Sequence, residues 1–383
     1  MTANRTASRP TGPSPLLHVL DVRLEVVTPL HIGNGEELIR NYDFVTEGDE
    51  LVVLDIEAVY GKLFDTLPQD QWQRLANLPL DRVLATSGAR DLARYRMPIA
   101  RGASDEGYET VRAFIKDGFG RPYLPGSSLK GAIRTAFAMA YANDKGHEWI
   151  DGHVSETIQR RNRREFAAQS LDQAVFGSRP NSDALRALRP SDLYAQTDDG
   201  HAPLELVETR VTKRNGTSTA TIMVEAMPSR TVLHGTMTVD ADPVAHLEAA
   251  QRDQWEALAE APALNAVGFL REQSMALIDR EIRHHGGSAV AAEFVALERR
   301  MATLDADSTL VWVGWGTGWT AKTYGEHLTT SPLFPEVTST FKLGNDRTEA
   351  GSFPSSRRLM YASERVVGPV GWAVVTITPR GER

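Results

Sequence analysis

YETVRAFIKDGFGRPYLPGSSLKGAIRTAFAMAYA, residues 108–142, passes from a strand pattern through a tight turn into a helical one. Asp117-Gly118 lies between apolar-rich arms and signals a hairpin. The outgoing arm runs into Pro125, Gly126, Ser127, Ser128, Leu129, Lys130 and Gly131, and then into the helix AIRTAFAMAYA. Ser127 or Ser128 can cap that helix. Gly and Ser residues at a helix start leave backbone N–H groups free beside the positive end of the dipole, which is the outline of a phosphate site. Lys130 and Arg134 are four apart and share a face, next to apolar Ile133 and Phe137. There is no Walker spacing here. The competing reading is a capped helix with a surface Lys/Arg pair.

Outward from this segment the chain reads as hairpins and helices. LLHVLDVRLEVVTPL (residues 16–30) alternates, with Val22, Leu24 and Val26 on one face and Arg23 and Glu25 on the other, a first strand. A turn-rich loop at residues 31–35 precedes two short strands joined at Glu47-Gly48-Asp49. Residues 56–96 are mostly helical in pattern, broken at Pro68 and Pro79, and residues 175–183 read as a loop. A strand is expected within 188–195. Beyond 200, LELVETRVTKR and STATIMVEAM flank Asn215-Gly216, a further hairpin, and residues 230–240 form a third strand. Residues 243–304 are helical, with Gly286-Gly287 dividing the last two helices, and short strands close the chain at 310–314 and 368–379. Hairpins mixed with helices in both halves favour α+β over a doubly wound parallel sheet. The expected division is a disordered polar tail at 1–15, a first module at 16–200, and a second at 201–383 holding the helical insertion (about 243–304) and a glycine-rich loop.

Composition narrows the function classes. The 383 residues include 42 basic and 50 acidic ones, a net charge of −8, which excludes a uniformly basic nucleic-acid coat but not a local basic groove. With no cysteine, disulfides, Cys-ligated zinc, iron–sulfur clusters and thiol nucleophiles are excluded. The same absence fits a reducing cytoplasm. No apolar run is long enough to span a bilayer, and the first fifteen residues lack the apolar core of a signal peptide. Charge is uneven: residues 121–164 hold eight Lys/Arg against four acids, and residues 241–308 hold six against twelve.

Three further features bear on a site. In Gly314-Trp315-Gly316-Thr317-Gly318-Trp319, followed by Lys322, glycines allow close backbone approach and aromatic rings can stack on bases. The alternative is a bulged strand end with Trp side chains in the core, the better reading for Trp312. His31 sits in the loop after the first strand, where an acid or base could act. His284-His285 lack ligands beyond Glu281 for a metal site and read as cationic residues near a helix C-terminus. Arg160, Arg161, Arg163 and Arg164 are dense enough to touch phosphates, although a solvated run is the default.

Residues 28–35 (TPLHIGNG), Tyr42-Asp43-Phe44 and residues 123–135 (YLPGSSLKGAIRT), in this order, resemble the RAMP superfamily of CRISPR-associated RNA-binding proteins. Phe176-Gly177, Ser191-Asp192, the glycine-rich loop, residues 353–358 (FPSSRR) and Gly371-Trp372 sharpen the resemblance toward the subunit that caps the crRNA 3′ end in type III-A (Csm) effector complexes. That resemblance implies two ferredoxin-like (RRM-like) modules with antiparallel sheets and helical insertions. It further implies a non-catalytic, cytoplasmic role in antiviral defence, with no cofactor, metal or membrane. The subunit would hold the 3′ part of the crRNA and contact the neighbouring backbone RAMP subunit. Whether host ribonucleases join it is left open. The phosphate-facing positions it implies are Gly126, Ser127, Ser128, Lys130, Arg134, Gly314, Gly316, Gly318 and Lys322, and His31 and Trp319 join them as RNA-binding candidates from the loop and ring readings above. By that resemblance, related backbone subunits carry a target-cleaving Asp in a loop of the first module; here the loop after the first strand has Glu36 and Glu37 instead. The alternatives are a metal-independent RNA-processing endoribonuclease using His31, or another type III accessory RAMP subunit.

Overall fold

The computed structural model describes residues 17–66, 68, 92–104, 107–159, 168–179, 183–197, 203–240, 262–319, 321–322, 324–343 and 353–381. The expected tail, the first part of the helical insertion and the arginine run at 160–164 lie outside these residues. In chain order the first elements are β1 (Leu17–Val26), β2 (Gly33–Ile39), β3 (Phe44–Glu47), β4 (Glu50–Leu54), α1 (Ile56–Thr66), β5 (Ala93–Pro98) and β6 (Thr110–Phe114). Next come α2 (Gly126–Lys145), α3 (His147–Gln159), α4 (Gln169–Phe176), β7 (Leu188–Pro190), β8 (Tyr194–Ala195), β9 (Glu205–Lys213), β10 (Ser218–Ala226) and β11 (Val232–Asp240). The last are α5 (Pro262–His285), α6 (Ala289–Ala302), β12 (Ser308–Trp312), α7 (Gly325–Thr330), α8 (Phe334–Thr340), β13 (Ser356–Ala362), β14 (Arg365–Pro369) and β15 (Trp372–Pro379).

The fold is mixed α+β. Alternation in β1 buries Leu20, Val22, Leu24 and Val26 against the core. This strand lies inside its sheet, antiparallel to β11 on one side and to β15 on the other. The sheet runs β12-β15-β1-β11-β7, with β8 also on β11. Apart from β8 and the edge strand β12, its path is β1, then α2, β7, β11, α5 and β15: strand, helix, strand, strand, helix, strand, with the first and third strands central. The helices bury one face each in the same core, Leu129, Ile133 and Phe137 from α2 and Ala266, Val267 and Leu270 from α5. A second sheet runs β14-β13-β9-β10-β6-β2, and a third β3-β4-β5. Both large sheets draw strands from either side of residue 200.

Three local expectations change. The turn at Asp117 closes, with the Gly120 N–H on the Asp117 carbonyl and the Arg121 N–H on Asp117 Oδ1. Its returning arm is not a strand, however. That arm carries Pro122 and Pro125, which supply no N–H, and makes only isolated bridges, Pro122 to Lys116 and Leu124 to Leu193. β6 pairs instead with β2 and, in parallel, with β10, so the sheets are not wholly antiparallel. Residues 93–96 are strand rather than helix. The segment before Gly177 is α4, with Gly177 at φ 105 ending it, rather than a loop.

Candidate nucleic-acid groove

One groove of about 830 Å³ is walled by the β1–β2 loop, β2, β6, α2, α4, Trp312 to Trp315, Thr317, Ala321, Lys322 and Tyr324. It brings Ser127, Ser128 and Arg134 together with His31, Gly314 and Lys322, although the two key segments are some 180 residues apart in the chain. Gly126, Lys130, Gly316, Gly318 and Trp319 do not line it.

The start of α2 is not an empty anion site. Neither Ser127 nor Ser128 caps it; Pro125 is the N-cap. The Gly126 N–H donates to Asp192 Oδ1 at 2.8 Å, so a carboxylate already sits at the positive end of the helix. A side chain at Gly126 would strike the carbonyl oxygens of Pro190 and Ser191, so this glycine admits a neighbouring strand rather than a phosphate. Lys130 is half-buried near Asp183, and partial burial holds its ammonium below the ordinary value. Arg134 pairs with Asp183 at 2.7 Å and lies 3.6 Å over the Phe176 ring. Its charge is therefore committed inside the protein, and Arg134→Ala should cost about 1–2 kcal/mol of stability. A urea midpoint unchanged from that of the native chain would contradict this placement.

The glycine-rich segment is held by its contact with His31. Gly314 has φ 84, and a Cβ there would meet the His31 carbonyl oxygen at 2.6 Å. The Trp315 N–H donates to that same oxygen at 2.8 Å, and the Thr317 hydroxyl closes the turn on the Gly314 carbonyl. Trp312 is core, as its neighbours suggest, stacked on Trp372. Trp319 packs against Phe334 and Phe353. Half-buried Trp315 remains at the groove, approached by the guanidiniums of Arg112 and Arg358.

His31 is only 1% exposed, and its Nδ1–H donates to the Glu225 carbonyl at 2.6 Å. Burial pushes its pKa from 6.5 to about 4, with Arg112 and Lys116 adding repulsion against the backbone bond that favours the charged form. The ring is neutral at pH 7. Because the unfolded chain takes up this proton first, stability is intact above pH 6.5 and falls as pH drops toward 4, by up to about 3 kcal/mol. Urea midpoints of the native chain and of His31→Gln, compared from pH 7 to 4, isolate that part; an equal fall in both would contradict it.

Behind His31 lies a node that sequence reasoning missed. The fully buried Glu225 carboxylate accepts from the Tyr95 hydroxyl (2.6 Å), the Phe114 N–H (2.7 Å) and the Lys116 ammonium (2.5 Å). The detectable signal was an acid within an otherwise apolar strand end, Met223 to Ala226. A second node joins Glu281 to Arg357. Burial alone would raise the pKa of Glu281, but His285 and Arg357 outweigh it and hold it at about 2. Burial keeps His284 near 4, so the cationic reading of that residue fails. Among the described residues no helix is long and apolar enough to cross a membrane, and no cluster of three His, Cys, Asp or Glu could hold a metal.

A family model for the RAMP superfamily matches residues 23–284, more than half of the chain. The chain belongs to the RAMP superfamily. Within it the chain resembles Csm5. It is 34% identical over 132 residues to the CRISPR system Cms protein Csm5 of Streptococcus thermophilus, which is 29% of this chain and 36% of that protein. To the Mycobacterium tuberculosis (strain H37Rv) and Enterococcus italicus proteins of the same name it is 25% and 29% identical over 211 residues, 46% of this chain and 55% and 56% of theirs. These matches thus span about a third to just over half of the relatives' own length. In fold, a chain in the cryo-EM structure of a Csm–crRNA–target RNA ternary complex of a type III-A CRISPR-Cas system superposes with TM-score 0.72 at 23% identity, over 93% of this chain and 100% of that one. The crystal structure of T. onnurineus Csm5 gives 0.62 at 20%, over 92% and 99%.

Proposed function

We propose that this chain is a non-catalytic RNA-holding subunit of a type III-A CRISPR effector complex, acting in the cytoplasm, with the 3′ part of the crRNA in the groove and a backbone RAMP subunit beside it. The observation that carries the reading is the meeting of the α2 start and the glycine-rich segment in one groove with cations on its wall. Likeness to a chain of a Csm–crRNA–target RNA complex supports it. RNA gripped through its phosphates needs local, not net, positive charge. We take β15-β1-β11-β7 with α2 and α5 as one ferredoxin-like module, in place of the two expected, with the second sheet inserted; the strand order supports that reading. RNA is not proposed on the outer face of that module's sheet. An RRM stacks bases on sheet aromatics, whereas here Asp21 is ion-paired with Arg380, and Glu25 with both Arg23 and Arg300.

The endoribonuclease reading finds its residue types but not their geometry. Cleavage without metal needs base, acid and cation at one phosphate. His31, Tyr95 and Lys116 do converge, yet on Glu225, and only His31 of the three lines the groove. The test is purification through a tag on this chain, followed by sequencing of the bound RNA ends and identification of co-purified subunits. Guide RNAs with a common 3′ boundary, together with other Csm subunits, are expected. Metal-free cutting of repeat RNA by the isolated chain, lost in His31→Ala, would overturn the reading.

A further inference from the structure

Among the described residues several partly buried cations have carboxylate partners. Arg357 pairs with Glu281, Arg210 with Glu208 and Glu364, Arg134 with Asp183, and Lys116 with Glu225. Set apart from these is a group drawn from three elements: Arg112 on β6 and exposed Lys322 after the glycine-rich segment, both lining the groove, and half-buried Arg358 on β13, which does not line it. The guanidinium carbons of Arg112 and Arg358 stand 5.5 and 5.0 Å from the centroid of the Trp315 ring. Arg358 is half-buried, its Nε is shut off from water without an acceptor, and no carboxylate among the described residues pairs with it. Arg112 has one long contact, 3.5 Å to Glu37 on the exposed edge strand β2. Partial burial lowers the pKa of Arg358 and of Lys322, and the neighbouring cation adds to each: Arg112 acts on Arg358, and Arg358 on Lys322. Like charges held together, one with an orphaned donor, are unfavourable until an anion joins them.

We infer that Arg112, Arg358 and Lys322 form a seat for one phosphate group at the glycine-rich end of the groove, with Trp315 as the shelf that orients the guanidiniums rather than as a surface for stacking bases. Two planar donor forks and an ammonium on separate elements suit a tetrahedral oxyanion, whose oxygens can meet all three, better than a two-oxygen carboxylate. The seat deepens the RNA reading of the groove and rests on it for the source of the phosphate. That source is either an internal phosphodiester or a phosphate at the end of the strand.

Two measurements on the full chain separate the seat from the parent reading. In the first, inorganic phosphate is titrated against chloride at matched ionic strength and thermal unfolding is followed. The native chain should gain stability in phosphate; Arg112→Ala/Arg358→Ala and Arg358→Met should not. Arg358→Met should unfold no earlier than the native chain in chloride, because it removes an unmatched cation while keeping volume. No phosphate-specific gain in the native chain, or an equal gain in the variants, overturns the seat whether or not RNA binds. In the second, anisotropy with single-stranded RNA ending in a 3′-hydroxyl or a 3′-phosphate is read across a salt series. The double variant should bind at least about tenfold more weakly, with a salt slope smaller by about 0.7 for the phosphate lost. An equal loss on both RNAs assigns an internal phosphodiester, and a larger loss on the 3′-phosphate RNA assigns a terminal group. A native chain that gains stability in phosphate but binds neither RNA keeps the seat and fails the groove reading. A folded double variant with native affinity and slope overturns the seat.

Discussion

Glu225→Ala should lower the unfolding free energy by about 3–5 kcal/mol, the range for breaking a buried ion pair from one side. The substitution leaves the Tyr95 hydroxyl, the Phe114 N–H and the Lys116 ammonium without their acceptor. Each of these groups comes from a different stretch of β5, β6 or the segment after it, so the damage spreads across two sheets. Glu225→Gln, which keeps an acceptor oxygen, should recover part of the loss. Urea unfolding of the three proteins gives the comparison, and a loss below about 1 kcal/mol in the alanine variant would mean that the node is not closed as described.

The second large effect is expected at Gly314. Its φ of 84 and the His31 carbonyl oxygen where a Cβ would stand make Gly314→Ala doubly unfavourable. A cost of roughly 2–4 kcal/mol follows from the strained backbone and the forced shift of the β1–β2 loop. The Trp315 N–H bond to His31 would lengthen or break. The variant should therefore lose RNA affinity as well as stability, whereas Gly318→Ala, with a positive φ but open space at its Cβ, should be the milder of the two. Equal stability losses at the two glycines would show that the close approach to His31 has no energetic weight.

Strands that bury one face, such as β1 and β11, were legible because alternation reports a half-buried strand, and the turn at Asn215-Gly216 was legible because its dipeptide fits the required backbone. β2 was not, since this edge strand buries almost nothing and so carries no alternation. The β13–β14 hairpin was hidden for another reason. It turns at Ser363 and Glu364, with φ of 46 and 66, where neither residue is the Asn or Gly that flags such a turn. Pairing of the first strand with the last is a long-range fact that local pattern does not carry.

The same divide runs through the groove. The two motifs that meet there were legible as motifs, and the resemblance ordered them. Arg112 and Arg358 were not singled out, because a single arginine in a strand looks like any solvated one until two strands bring them to Trp315. Conversely, Lys130 and Arg134 looked free because their spacing puts them on one face, while Asp183 and Phe176, which engage Arg134, enter from other elements.

The most direct test of RNA in this groove is photo-crosslinking of the assembled complex, with the crosslinked peptides identified by mass spectrometry. Crosslinks from the 3′ part of the guide should fall on Arg112, Ser127, Ser128, Arg134, Trp315 and Lys322 and around Arg358. Crosslinks confined to the outer face of the central sheet, at Asp21, His234 or Thr376, would contradict the account.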